Sequence, residues 1–298
     1  MKILVTGAAG LTGAKAVKYF RQQGAEVLGL CFPSTPEPDS SMQVLDVRDK
    51  QAVTAVFEEF KPEAVIHAGG LTDLEYCEEN TEEAWSVNAI GTGYVGSAAH
   101  QCSAKIVFFS TDHVFDGKEG PYDEDSPAKP LSQYGKSNLA AERIVAGITR
   151  SHLIVRTSGI YGWTPGSLNF VMQLVKTNQA GEPQNIPDDQ YCNPTLADNL
   201  VEATAELLQK NLTGTYHVAG ADYLSMYGFA MQIAGIFGLD EEKLTPVSTE
   251  SMGHKARRPL KAGLKTGKAG NCLSVKMLGV SEGLEHVKRQ QTASQGSA

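Results

Sequence analysis

An α/β fold built on a doubly wound parallel sheet is predicted by three features of the 298-residue sequence. Apolar runs of strand length alternate with segments of helical periodicity. The first such run opens directly onto a glycine-rich turn. The texture then changes after Gly162, where a second, smaller α/β unit is expected. A repeated strand–helix rhythm requires crossovers between parallel strands, so helices cover both faces and the strands read as continuous apolar runs.

Taken in order, "KILVTG", "EVLGLC", "AVIHAG" and "KIVFFSTD" are buried strands. Between them "LTGAKAVKYFRQQG", "DKQAVTAVFEEFKP" and "EEAWSVNAIGTGYVGSAAHQC" carry helical periodicity. "SHLIVRTSGIYG" supplies another strand and "GTYHVAG" a late short one. After Gly162 come helical patterns such as "NFVMQLVKTNQAG" and "MYGFAMQIAGIFGLD", joined by longer polar loops. The expected division is a first domain over residues 1–162, rejoined by late elements from about 195–220. A smaller interleaved unit follows over 163–290, and 291–298 form a disordered tail. No internal repeat is evident.

Apolar residues make up 41% and charged residues 20%, ordinary proportions for a folded soluble protein. The formal net charge of −8 offers no electrostatic footprint for nucleic acid or an anionic membrane. Five scattered cysteines without a CxxC pair argue against a disulfide framework and against a metal cluster, and fit a reducing cytoplasm. The start "MKILVTGAAG" lacks the apolar stretch of a signal peptide, and no apolar run reaches membrane-spanning length. A cytoplasmic location is therefore expected.

The loop "TGAAGLTG" spaces Gly7, Gly10 and Gly13 between the first strand and the first helix, with Leu11 and Thr12 at the helix start. Glycines permit a tight turn and close approach of the backbone to a pyrophosphate, and the helix start presents free N–H groups and a positive dipole end to the anion. This is the Rossmann-type dinucleotide arrangement. An NAD-preferring site sets an acidic residue at the end of the second strand, about 20 residues further on. Leu30 and Cys31 stand there instead, and no arginine accompanies them to clasp a 2′-phosphate. Ser34 and Thr35 offer hydroxyls, either to a phosphate or to a turn. NADP(H) is expected over NAD(H). Asp46 and Val47, in "LDVRD", either border the adenine or belong to the next helix start, with Asp46 or Asp49 as its cap.

"STDHVFDG" (Ser110 to Gly117) followed by "YGKSNLAAE" (Tyr134 to Glu142) resembles the extended short-chain dehydrogenase/reductase superfamily, and within it the dTDP-4-dehydrorhamnose reductase branch. The resemblance covers most of the chain and includes "HAGGLTDLEYCEENTEEAWSVNAIGT", "IVRTSGIYG" and "RPLKAGL". It implies that Gly7, Gly10 and Gly13 hold the pyrophosphate and that Ala68 and Gly69 line the cofactor. It further implies that Thr111 binds the substrate carbonyl or hydroxyl, that Tyr134 is the general acid, and that Asn169 and Arg258 lie on the sugar-nucleotide side. Asp112 and His113 join the substrate set, although the branch more often shows tyrosine where His113 stands. A homodimer is the family expectation. Each residue has a plainer alternative: Thr111 as a strand-end cap, Tyr134 as a half-buried aromatic, Asn169 as a helix cap, Arg258 as a solvated charge, and His113 as a satisfied histidine. Asn88, in "SVNAIGT", is read as a fastener of helix to sheet.

The chemistry of the tyrosine can be argued without the resemblance. Hydride addition to a ketone creates an alkoxide, which needs a proton on demand. A phenol near pKa ~10 trades protons near neutrality only with help, and a nearby cation lowers its pKa by ~1–3 units. Position i+4 on a helix shares the face of position i. In this chain that position holds Asn138, where the resemblance sets a lysine. Lys136, at i+2, points away. A second departure is Gly159, where the deoxysugar reductases usually carry a tryptophan; Trp163 either refills that space or sits in a core. The expected function is an NAD(P)H-dependent reductase of a keto-sugar nucleotide or similar carbonyl. The alternative is an NADP-binding regulatory or scaffold protein of the same branch, in the manner of the methionine adenosyltransferase β subunit. Epimerisation and dehydration begin by removing hydride, which needs a tyrosinate, so Asn138 counts against both.

Overall fold

The structure is a computed structural model that describes all residues except 34, 36–40, 165, 167, 168 and 296–298. Strand Lys2–Thr6 lies in the interior of a seven-stranded sheet. On one side it pairs in parallel with Glu26–Cys31, which pairs with Met42–Val44. On the other side follow Ala64–His67, Lys105–Thr111, His152–Thr157 and finally Gly214–His217, all parallel. The chain reverses its direction of winding between Lys2–Thr6 and Ala64–His67, which opens a crevice at the carboxyl ends of the strands.

Alternation along the first strand sorts residues between two cores, as period-two geometry requires. Ile3 and Val5 pack with Val17 and Phe20 of helix Leu11–Gln22 and with Leu200 and Leu207 of helix Ala197–Gln209. Leu4 faces the other way, onto Val53 and Phe57 of helix Lys50–Phe60 and Val95 of helix Thr92–Gln101. Helices thus cover both faces, the doubly wound arrangement expected.

The late elements rejoin the sheet. Helix Ala197–Gln209 packs in the first core, and Gly214–His217 forms an edge strand beside His152–Thr157. A separate core gathers Tyr161, Leu174 of helix Phe170–Gln179, Phe229 and Ile233 of helix Met226–Phe237, and Val280, Leu284 and Val287 of the C-terminal helix. That last helix corrects an expectation. It runs Val280–Gln295, so residues 291–295 are helical and not a disordered tail. Trp163 Nε1 donates to Ser294 Oγ at 3.0 Å and fastens the final turn. Trp163 is not a wall of the crevice; partly buried, it packs against this second core. The remainder of the expected tail, 296–298, lies outside the described residues. Among the described residues no helix is long and apolar enough to cross a membrane.

Candidate active site

The glycine loop folds as its residue types require. Gly7 has φ +66°, and a Cβ there would lie 2.7 Å from the Ala68 carbonyl oxygen and from Gly69. A Cβ on Gly13 would lie 2.0 Å from the Gly7 carbonyl oxygen. Gly10 caps helix Leu11–Gln22 with no side-chain hydrogen bond and with no acidic residue in the first turn. The helix N–H groups therefore remain available to an anion.

Behind the loop sits His67, which sequence reasoning did not single out. Thr92 donates its hydroxyl proton to the Asn88 carbonyl, so His67 Nε2–H must donate to Thr92 Oγ1 at 2.8 Å. His67 Nδ1 then accepts from Thr6 Oγ1 at 2.7 Å, and Thr6 Oγ1 in turn accepts from Gly69 N at 3.2 Å. Burial holds the imidazole neutral, with its pKa pushed down to about 4. Asn88 accepts from Leu71 N at 2.8 Å and donates to Ser137 Oγ at 3.2 Å. It ties its own helical segment to the loop after strand Ala64–His67 and to helix Gln133–Ile148, a fastening of helix to loop and helix where one of helix to sheet was expected.

At the end of the second strand Leu30 is buried, while Cys31, Phe32 and Thr35 line a cleft of about 650 Å³. Ser34 lies outside the described residues. Asp46 does not face this cleft. Its carboxylate receives Arg48 Nε and Nη2 at 2.7–3.0 Å, and Arg48 holds it below the usual carboxylate range. Asp49, not Asp46, caps helix Lys50–Phe60, accepting from Gln51 N and Ala52 N. Val47 packs against Gly91. The guanidinium of Arg48 also meets Glu83 at 3.1 Å and lies 5.3 Å over the Phe32 ring. An arginine therefore does stand next to the second-strand end. It arrives from the following strand's loop, a juxtaposition that the linear sequence hides.

The same cleft continues from Gly7, Gly10, Leu11, Thr12 and Gly13 past Ala68 and Gly69 to Thr111 and Tyr134. Thr111 ends its strand, and its Oγ1 accepts from His113 N at 3.2 Å, the capping role weighed above. The Thr111 side chain also lowers the pKa of the Tyr134 hydroxyl. Tyr134 stands in the first turn of helix Gln133–Ile148, whose cap Ser132 accepts from Gly135 N at 3.2 Å. Gly135 is required because a Cβ there would come within 2.3 Å of the His113 carbonyl oxygen. Two turns along, Glu142 receives Arg156 at 2.7 and 2.9 Å and Ser110 Oγ at 2.5 Å in a buried network. That network fixes the tyrosine helix against the strand that carries Thr111.

Burial pushes the Tyr134 hydroxyl up to about 12; the Thr111 side chain lowers it, and Asp112 and Cys77 raise it. Asn138 is buried, and its amide donates to the Tyr134 carbonyl at 2.9 Å. Both residues border a smaller cavity of about 110 Å³ shared with Thr12 and Gly69. Lys136 is exposed. No lysine or arginine is among the described residues that line either cavity. Asp112 is buried, with Oδ2 accepting from Ser158 Oγ at 2.6 Å. Ser158, Thr157 and Phe170 complete the cleft without having been anticipated; Ser158 follows directly from its place beside Gly159 in "RTSGIYG".

The predicted substrate residues divide. Asp112, His113, Gly159 and Asn169 line the cleft. Asn169 occupies the helix N-cap position without a side-chain cap and donates to the Gly162 carbonyl at 2.8 Å. Arg258 does not line the cleft: it is half-buried and meets Glu75 at 2.7 Å. Gly159 has φ +51°, and a Cβ there would stand 3.3 Å from Cys192 Sγ and from Pro194 Cα. The backbone itself favours glycine at this point.

The family model described as "RmlD substrate binding domain" matches residues 1–292. The spore coat polysaccharide biosynthesis protein SpsK of Bacillus subtilis is 33% identical over 259 residues, covering 87% of each chain. A crystal structure of a dTDP-4-dehydrorhamnose reductase from Clostridium acetobutylicum superposes with a TM-score of 0.90 at 30% identity, over 98% of this chain and 100% of that one. A Bacillus anthracis dTDP-4-dehydrorhamnose reductase in complex with NADP gives a TM-score of 0.88 at 28% identity, over 97% and 99%.

Proposed function

The chain belongs to the RmlD substrate binding domain family, and on that footing we propose that it is an NADP(H)-dependent reductase of a keto-sugar nucleotide, with Tyr134 as the proton donor. One observation carries the reading. The glycine loop and the Thr111–Tyr134 pair border a single cleft, so an anion-binding helix start and a protonated phenol face the same space.

The residues fit a dinucleotide. Cβ atoms at Gly7 or Gly13 would collide with the backbone of Ala68 and Gly69 or of Gly7 itself, so these glycines let the loop close tightly at the helix start, and Gly10 leaves the helix N–H groups uncapped. A bound reduced nicotinamide supplies the hydride. Gly7, Gly10 and Gly13 would hold the pyrophosphate, and Ala68 and Gly69 would line the cofactor. Thr111 and Tyr134 orient the substrate carbonyl by hydrogen bonds to its oxygen. Tyr134 then gives its proton to that oxygen as negative charge develops there. A phenol raised to about 12 is fully protonated at neutral pH, which suits a donor. Asp112, His113 and Asn169 hold sugar hydroxyls. The reductase activity named for the Clostridium and Bacillus proteins, and the NADP bound to the latter, support this reading.

A second reading is favoured by one feature. Asn138 spends its amide on the helix backbone and no lysine or arginine is among the described residues of the cleft wall, so a nearly silent NADP-binding regulator is consistent with the same fold. Consumption of NADPH across a panel of dTDP- and UDP-linked 4-keto-6-deoxysugars separates the two: the reductase reading predicts oxidation on at least one, and tight NADPH binding with no oxidation supports the regulator.

A further inference from the structure

We propose that Thr157 is a specificity-determining residue that reads the hydroxyl next to the reacting carbonyl of the sugar. The inference rests on the reductase reading and deepens it, by naming a substrate feature that the site requires. Three observations meet at this threonine. It lines the cleft together with Thr111 and Ser158. It is only 4% exposed, yet its Oγ1 has no hydrogen-bond partner among the described residues. Strand His152–Thr157 pairs in register with Lys105–Thr111, so Thr157 stands directly beside Thr111. An orphaned hydroxyl in the wall of a cleft costs stability and calls for a partner that arrives with the ligand. The next residue shows the contrast: Ser158 Oγ donates to Asp112 Oδ2 at 2.6 Å and accepts from Asn193 N at 3.3 Å.

The register says which part of the ligand that partner belongs to. Paired residues on neighbouring parallel strands point to the same face, about 4.8 Å apart. Two residues earlier, Phe109 packs against the first core and Val155 belongs to it, so Thr111 and Thr157 crown that core side by side. The dinucleotide comes to Thr111 from the glycine loop, past Ala68 and Gly69. Thr157 lies one strand beyond Thr111, on the side away from that loop. The sugar atoms next to the carbonyl therefore fall over Thr157. In a 4-keto-6-deoxyhexose one ring neighbour of the carbonyl carbon bears the C-3 hydroxyl, and the other carries the ring oxygen and the methyl group. The C-3 hydroxyl is thus the only hydroxyl vicinal to the carbonyl. A threonine O–H both donates and accepts, and rotation of χ1 by one staggered well exchanges its hydroxyl and methyl while the backbone stays fixed. Thr111 can then hold the carbonyl oxygen and Thr157 the C-3 hydroxyl, each at about 2.8 Å.

Thr157→Val keeps the branched shape and removes only the hydroxyl. With a dTDP-4-keto-6-deoxyhexose its kcat/KM should fall about 5- to 100-fold, the cost of leaving a buried hydroxyl unpaired. With the 3-deoxy counterpart it should change less than about twofold, because the interaction is already missing. Thr157→Ser keeps the hydroxyl and should stay within about threefold of wild type on both sugars. NADPH affinity should be unchanged in either variant. In the ligand-free protein Thr157→Val should raise the melting temperature by a few degrees, since it deletes an orphaned polar group. Equal losses on the two sugars, weakened NADPH binding or a lowered melting temperature overturns the proposal. Calorimetry on the NADP⁺-loaded protein needs no turnover. Thr157→Val should bind a dTDP-6-deoxyhexose, the alcohol product, about 5- to 100-fold more weakly and its 3-deoxy counterpart no differently. Equal changes for both, or no binding of either by wild type, overturns it as well. Failure of the reductase reading looks different: wild type binds and discriminates these sugars but oxidises NADPH with none of their 4-keto forms.

Discussion

Replacing Asn138 by lysine tests how the site manages the charge on Tyr134. Both residues lie on one face of their helix and border the same cavity of about 110 Å³, so a lysine ammonium has room to approach the phenol. At ~5 Å and an effective dielectric constant of ~20, a unit charge is worth about 3 kcal/mol, or about two pKa units. Tyr134 should then ionise near ~10 rather than about 12. The sign follows from the direction of reaction. Reduction uses the neutral phenol and gains through stabilisation of the tyrosinate left behind, so its kcat should rise by about 10- to 100-fold. Oxidation of the sugar alcohol starts from the tyrosinate, so its alkaline limb should move down by about two pH units. The assay is a pair of pH–rate profiles together with an ultraviolet titration of tyrosinate in the cofactor-free protein. A folded, NADPH-binding Asn138→Lys variant with an unshifted tyrosine titration and an unshifted oxidation limb would refute the reasoning.

Further outcomes follow from the same geometry. Gly10→Asp should keep the fold with a shift of a few tenths of an ångström, because its Cβ would meet only the Gly7 carbonyl oxygen, at 3.3 Å, yet weaken dinucleotide affinity at least ~100-fold by setting a carboxylate at the helix start; calorimetric titration with NADPH decides, and unchanged affinity sinks the phosphate-loop assignment. Gly159→Ala should cost about 1–2 kcal/mol, because φ is +51° there, and lower the melting temperature by a few degrees; no loss would mean that the backbone does not hold that conformation. His67, neutral in the folded state with a pKa of about 4 against about 6.5 unfolded, contributes stability that is complete above ~6.5 and lost as pH falls toward about 4, amounting to about 3 kcal/mol. An NMR titration should find the His67 ring still neutral at pH ~5; ionisation near ~6.5 would contradict the buried Thr6–His67–Thr92 arrangement.

What was legible in the sequence was local. The glycine loop declares itself because turn, helix start and strand end are contiguous, and Thr111 and Tyr134 fall where their strand end and helix start bring them together. Most of the readings that changed depend on contacts between distant segments. Asp46 was read toward an adenine, but Arg48, two residues on, captures it, and the arginine reaches Phe32 only through strand pairing. Arg258 was read toward the substrate, but Glu75, 183 residues away, holds it. The polar end of the chain was read as a tail because its apolar spacing stops at Val287; the last turn is fastened by Trp163, 131 residues earlier. For Gly159 the missing tryptophan was visible, whereas the left-handed backbone that favours glycine was not.

The central claim is that Tyr134, facing the dinucleotide loop across one cleft, delivers the proton in a carbonyl reduction. Its most direct test is NADPH oxidation with dTDP-4-keto-6-deoxysugars, measured for wild type and Tyr134→Phe with NADPH binding verified for both. The account predicts turnover by wild type and a loss of at least about 100-fold in Tyr134→Phe at unchanged cofactor affinity. Full activity in Tyr134→Phe, or tight NADPH binding by wild type with no oxidation on any such sugar, would contradict it.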